Sequence, residues 1–240
     1  GANRFSIDTS GNVGIGKTPV DKLDIKSGDI RIQNADQTFE NHSQAQGIQW
    51  TQETDADVAR IEASRYSWGH APHNLNFYTR DDASDIQKRL IIDYKGRVTK
   101  PYQPSFAATS LSPVQANSYV QLNTNIRSNN VRHNVGNHFN NSTGIFTCPV
   151  AGIYYVFASL LIDDDAGTTE LCLFRWNQNG SPRFYAYDNQ RPVSTAGRYD
   201  GQSATGGLIQ CAANDTITLV ATNGAFHVGG ESTFSIYLLG

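Results

Sequence analysis

The chain of 240 residues contains no methionine and only three cysteines. No run approaches the roughly 18 apolar residues of a membrane-spanning helix, so membrane insertion is not expected. The longest apolar stretch, Ile153 to Ile162, reads as a buried strand. Glycine is plentiful, at 21 residues, but has no collagen period. A net charge of −3 with no dominant basic patch argues against gripping nucleic acid. Cys148, Cys172 and Cys211 cannot all pair within one chain. Each lies in or beside an apolar segment, so buried free thiols are expected, which fits assembly in a reducing cytoplasm. No C-x-x-C spacing suits zinc. Gly1-Ala2 reads as a tag remnant, and the chain as a piece of a longer protein.

What is present favours strands. Tyr and Phe contribute 11 residues each, and aromatics suit a pleated surface. Charge divides the chain: residues 1–100 hold 13 Lys+Arg and 14 Asp+Glu, while residues 101–240 hold 6 and 8, with no lysine after Lys100. The change falls at Pro101-Tyr102-Gln103-Pro104, whose prolines favour an extended linker. We therefore divide the chain into 1–100, a linker at 101–104, and 105–240.

The first part repeats a pattern. Ser6-Ile7-Asp8-Thr9-Ser10-Gly11-Asn12-Val13 and Ile91-Ile92-Asp93-Tyr94-Lys95-Gly96-Arg97-Val98 both read apolar-Asp-x-x-Gly-x-Val. This predicts one kind of hairpin used twice, with glycine at φ > 0. Between the copies, Leu23 and Ile25, Ile48 and Trp50, and Leu75 and Phe77 alternate with polar residues. Val58 to Ala63 reads as strand or one helical turn. Apolar residues are sparse for a hundred-residue unit. A thin β-unit of this kind rarely folds alone, and burying its face against identical copies is the economical remedy. An intertwined trimeric β-stalk is expected.

The second part reads as short strands at 118–122, 144–148, 152–162, 168–177, 182–187, 205–211, 215–222 and 232–239, punctuated by Gly, Asn, Pro and Asp. So many short strands in about 140 residues predict a jelly-roll β-sandwich. The expected fold class is thus all-β: an intertwined trimeric stalk followed by a jelly-roll head.

Two resemblances rest on particular residues. Asn137-His138-Phe139-Asn140, the run from Thr143 through Cys148-Pro149-Val150-Ala151-Gly152 to Phe157, and the final Ser232 to Leu239 resemble the complement-component globular head of the tumour-necrosis-factor-like class. That family commonly has Gly where Ile236 stands. The likeness covers about 135 residues and implies a trimeric jelly roll, without implying a ligand. Phe5 through Gly16, and Leu90 to Asp93 with Val98 to Pro101, are similar to the shafts of tail fibres of bacterial viruses. Animal proteins with this head usually carry a collagen stalk, and no Gly-X-Y run is present. The combined resemblance implies a virion tail-fibre tip, assembled in the host cytoplasm. It would be joined to the rest of the fibre and would bind a host cell-surface glycan or protein.

Several motifs compete as sites. Gly11-Asn12-Val13-Gly14-Ile15-Gly16-Lys17-Thr18 matches a phosphate-binding loop, but the period-2 alternation that follows offers no helix N-terminus. Asp163, Asp164 and Asp165 offer clustered hard oxygen ligands for calcium, against the plainer reading of a solvated turn. No other cofactor is expected. His70 and His73 read as a solvated loop. The candidate ligand residues are Trp176, Tyr185, Tyr187, Asp188, Arg191 and Tyr199, in or near a Gly/Asn/Pro-rich region. Aromatic faces stack on sugars, while Asp and Arg bond hydroxyls or anions. Tyr185 and Tyr187 share one strand face. No Ser-His-Asp order and no spaced carboxylate pair is apparent, so an enzyme is not expected. A purely structural cap, a polysaccharide depolymerase and a secreted lectin-like adhesin are the alternatives.

Overall fold

A computed structural model describes residues 5–15, 17–19, 22–25, 46–51, 57–65, 73–81, 86–113, 120–163, 171–189 and 199–240. Among them every regular element is a strand. The chain divides into two units, Gly1–Thr99 and Lys100–Gly240.

In the first unit, β1 (Ser6–Ile7), β2 (Val13–Ile15) and β3 (Leu23–Ile25) form one small sheet. A five-stranded antiparallel meander follows: β4 (Gln46–Thr51), β5 (Asp57–Arg65), β6 (His73–Arg80), β7 (Ile86–Ile92) and β8 (Val98–Thr99). The segment Val58–Ala63, ambiguous in sequence, is strand, because its ladder partners on β4 and β6 supply the missing hydrogen bonds.

The repeated motif builds the same turn twice. At Asp8 the carboxylate accepts from the amides of Ser10 and Asn12 at 2.8 and 2.9 Å, and at Asp93 from those of Lys95 and Arg97 at 2.9 Å each. Gly11 and Gly96 sit at φ 73° and 78°, where a Cβ would be strained. The aspartate caps amides that the turn leaves without a ladder partner.

The meander has two unlike faces. Ile48, Ile61, Phe77 and Leu90 stand opposite one another in one row, and Ala63, Leu75, Ile92 and Val98 in the next. This apolar face is open, with Ile48 51% and Val98 57% exposed. The polar face is closed on itself. Tyr78 donates its hydroxyl to Glu62 Oε1 at 2.9 Å, Arg60 pairs with Glu62 Oε2 at 2.8 Å, and Asn76 donates to Ser64 Oγ at 2.6 Å. Among the described residues of this unit, Tyr78 is the one large hydrophobic side chain that is buried.

The second unit is a sandwich of two five-stranded sheets. Its strands are β9 (Ser105–Ser112), β10 (Arg127–Val135), β11 (Phe139–Asn140), β12 (Ile145–Thr147), β13 (Gly152–Asp163), β14 (Leu171–Gln178), β15 (Ser181–Asn189), β16 (Tyr199–Cys211), β17 (Thr216–Asn223) and β18 (Thr233–Leu238). The orders β10-β9-β18-β13-β16 and β11-β12-β17-β14-β15 interleave early and late strands, as a jelly roll does.

Rings from both sheets fill the interior. Phe106 stacks on Phe139 at 3.9 Å, Phe234 closes on both, and Phe174 meets Phe226 edge-on at 5.6 Å. Stacked and edge-on rings add to the apolar area they bury. The Ile153–Ile162 run, expected to be buried, buries all of one face and, on the other, Leu161. Tyr154, Val156, Ala158, Leu160 and Ile162 point inward, while Ile153 is 42% exposed. Strand alternation sends every second apolar residue to the outer surface.

Candidate functional site

Two outer surfaces of the sandwich carry side chains that its core does not use. The first lies on the sheet containing β13. Registers place Leu208, Tyr155 and Tyr237 in one row across β16, β13 and β18. The Tyr155 and Tyr237 rings meet at 5.2 Å. Leu208 is 57% exposed, and Ile153 and Leu239 flank the row. An apolar row on the outside of a sheet is unusual for a surface that stays in water.

The second surface lies on the opposite sheet, where β15 is the edge strand. Tyr185 and Tyr187 stack on each other at 5.6 Å with 27° between their planes. They are 41% and 64% exposed, so the shared face expected from their spacing is an outward one. Arg175 stands directly opposite Tyr185 in the register and Leu173 opposite Tyr187. Phe174 and Trp176 turn inward, so Arg175 between them turns outward. Its Nε is buried without a hydrogen-bond partner. Arg175 was absent from the residues picked by sequence. The signal that would have found it is its parity: one charge between two core aromatics must face outward.

The other candidates separate. Trp176 is fully buried at 0% exposure and belongs to the core, so it cannot contact a ligand in the folded head. It is an inward position of an alternating strand rather than a loop residue. Asp188 stands opposite Cys172 in the ladder, and Tyr199 opposite Asp163 where β16 begins. Arg191 lies outside the described residues, as do Asp164 and Asp165, while Asp163 closes β13. His73 is exposed on β6, and His70 is outside the described residues. Among the described residues, no three His, Cys, Asp or Glu side chains gather as a metal site.

The phosphate-loop look-alike is occupied by the small sheet. Val13 and Gly14 belong to β2, and the Val13 amide is bonded to the Lys22 carbonyl at 2.9 Å. A strand amide engaged in this way cannot cradle a phosphate. Cys148, Cys172 and Cys211 are free and buried. Burial, reinforced by the neighbouring Cys211, pushes the Cys148 thiol far up, and burial raises Cys211 as well. Both stay protonated at neutral pH and are poor nucleophiles. Burial likewise pushes the Tyr154 hydroxyl up to about 12, while it donates to the Val150 carbonyl at 2.9 Å.

At the base of the sandwich Asp215 holds a turn. It accepts from Asn179 Nδ2 at 2.7 Å, Gln178 Nε2 at 2.8 Å and the Ala212 amide at 2.9 Å. The Asn179 bond leads in holding this carboxyl below the ordinary range, helped by the Ala212 amide and Gln178. One bond from its own turn and two from the end of β14 and the β14–β15 turn make it a structural lock between them.

Comparison with known proteins follows the sandwich. The C1q domain model matches residues 106–239. The mouse complement C1q tumor necrosis factor-related protein 3 is 30% identical over 126 residues, covering 52% of this chain and 48% of that protein. The human protein of the same name is 28% identical over the same length. The chain thus spans about half the length of the curated relatives it matches. Among solved structures, the globular domain of zebrafish complement 1qA protein is 15% identical, with a TM-score of 0.43 over 57% of this chain and 98% of that one. Murine APRIL is also 15% identical, with a TM-score of 0.42 over 57% and 99%. With a family match spanning more than half the chain and coinciding with the jelly roll, this chain belongs to the C1q domain family.

Proposed function

We propose that this chain is the distal part of a tail fibre of a bacterial virus. In this reading it is a homotrimer whose C1q-type head attaches the virion to a host cell-surface glycan or protein. The head is a binding module and not a catalyst. The observation that carries the reading is that each unit leaves one sheet face apolar and open: Ile48, Leu75 and Val98 in the first, Leu208, Tyr155 and Tyr237 in the second. Two further copies of the same chain would cover both faces. A closed cyclic trimer makes such contacts identical in all three copies.

The first unit then acts as a stalk continuing into the rest of the fibre. The twice-used aspartate hairpin supports this, because a fibre shaft is built by repeating one local device along its length. Buried protonated thiols suit assembly in the host cytoplasm. Three heads on one rigid stalk raise avidity even where each site is weak, provided their spacing matches the target.

The test is staining of a broad panel of bacterial strains by the labelled chain, beside mammalian cells. Strain-selective bacterial staining supports attachment. Staining of mammalian cells alone supports a second reading, a secreted adhesin of animal type, which the mouse and human relatives favour. A folded trimer that stains no bacterial strain, its host included, reduces the head to a structural cap and removes the attachment claim.

A further inference from the structure

We infer that the outer face of the β14–β15 edge binds a carboxylate-bearing sugar of the uronic or sialic acid class. Arg175 pairs with the carboxylate, and the Tyr185–Tyr187 stack provides the platform for the ring. This rests on the attachment reading and specifies its ligand.

Arg175 carries the argument. Among the described residues it has no hydrogen-bond, ion-pair or ring partner, although its side chain is partly buried and its Nε fully so. A guanidinium nitrogen that has lost water without gaining an acceptor is costly. Arg127, Arg183 and Asp215 of the head are by contrast engaged: Arg127 donates to the Ser142 carbonyl, Arg183 to Gln178, and Asp215 accepts from Asn179. Asn177, beyond the register shift that follows Trp176, is itself buried, and its Oδ1 is also unpaired. An unmet guanidinium nitrogen on the outward face of β14 points to a polar ligand rather than to core packing.

The aromatic pair specifies what that ligand carries. Directly opposed positions on neighbouring strands lie about 5 Å apart at Cβ, so Tyr185 is within one side-chain length of the guanidinium. The two rings shield one face of each by stacking together and leave their other faces to solvent. A flat ring face accepts the C–H face of a pyranose. A planar carboxylate on the same sugar matches the guanidinium fork in two parallel hydrogen bonds. A neutral sugar would leave Arg175 unpaired, and a small anion would leave the rings unused. Among the described residues β15 is a sheet edge, along which a polymer can approach.

The experiment measures binding of the whole 240-residue chain to polygalacturonate, to polysialic acid and to carboxyl-reduced polygalacturonate by titration calorimetry. The first two arms separate uronic from sialic acids. Binding to at least one acidic polymer is expected, with none to the reduced polymer. Arg175→Gln should weaken it by about tenfold to a hundredfold, the range for a lost charge-assisted pair. Tyr187→Ala removes an exposed ring that stacks on Tyr185 and lies outside the core, and should weaken binding about tenfold; it keeps the test decisive if the Arg175 variant misfolds. Equal binding to acidic and reduced polymers, or unchanged binding by Tyr187→Ala, overturns the inference. So does preference for a phosphate polymer such as a teichoic acid. If the chain stains bacteria yet binds neither acidic polymer, the sugar assignment fails and the attachment reading stands. If it also stains no cell, both fail.

Discussion

Replacing Leu208 by aspartate should force the three heads apart while leaving each head folded. Leu208 is 57% exposed in the chain, so a trimer gains that remaining area on closing. Fully burying a leucine is worth about 1.5–3 kcal/mol, so the remainder contributes roughly 1–1.5 kcal/mol per head, or about 3–4 kcal/mol for three. A carboxylate stranded in the same place costs several kcal/mol more per copy. The sum is on the order of 10 kcal/mol or more, about seven decades in the association constant. Within a single head the change touches only a surface position and should cost no more than about 0.5 kcal/mol.

With the first unit trimerised as proposed, the heads would still be held at a local concentration in the millimolar range, so total mass is a poor readout. Hydroxyl-radical footprinting of Tyr237 is direct, because its ring shares the row with Leu208. The ring should be protected in the parent chain and labelled several-fold faster in Leu208→Asp, with the melting of the head's core unchanged. Equal labelling in both proteins would refute the claim that this row is where heads meet.

Two further outcomes follow from the interior and its locks. Trp176→Ala should destabilise the head by about 3–5 kcal/mol, roughly 10–20 °C in melting temperature; Trp176→Phe should leave ligand binding untouched, as befits a ring with no exposure. Asp215 has its carboxyl lowered by bonds from Asn179, Ala212 and Gln178. A lowered carboxyl stabilises the fold above its unfolded value near 4, and that contribution fades as pH falls through the lower folded value. Melting scans should therefore show Asp215→Asn to be less stable than the parent at neutral pH and to approach it below about pH 4.

The strands most readable in sequence are those whose alternation buries one face deeply. β13, β17 and β18 all fall where Tyr154 to Ile162, Ile217 to Ala221 and Phe234 to Ile236 mark them. β9 and β10 were missed for opposite reasons. Ser105–Ser112 hides Phe106, Ala108 and Leu111 among small residues, and Arg127–Val135 is an edge strand whose residues are mostly exposed. An edge strand is held by its backbone ladder to β9, which side-chain periodicity does not record. The expected strand at 118–122 does not form a ladder among its described residues. Val120 is instead a buried plug bonded to the Phe226 carbonyl.

The candidate surface was half legible. The spacing of Tyr185 and Tyr187 put them on one face, but which face depended on the partner strand. The pairing of Arg175 with Tyr185 is a long-range register, set by how β14 and β15 close their turn at Asn179-Gly180. Trp176 misled because its neighbours in sequence are turn formers, whereas its strand position puts it in the core beside Leu219. In the first unit the sparse apolar content is what motivates the proposed shared core. That Ile48, Ile61, Phe77 and Leu90 share a face with Ala63, Leu75, Ile92 and Val98 required the ladder registers.

The central claim is that the open apolar faces of both units are covered by two further copies of this chain. Sedimentation equilibrium of the whole chain at micromolar concentration tests it most directly. The account predicts a single species at three times the chain mass, persisting on dilution. A folded monomer that shows no association over the same range would contradict it.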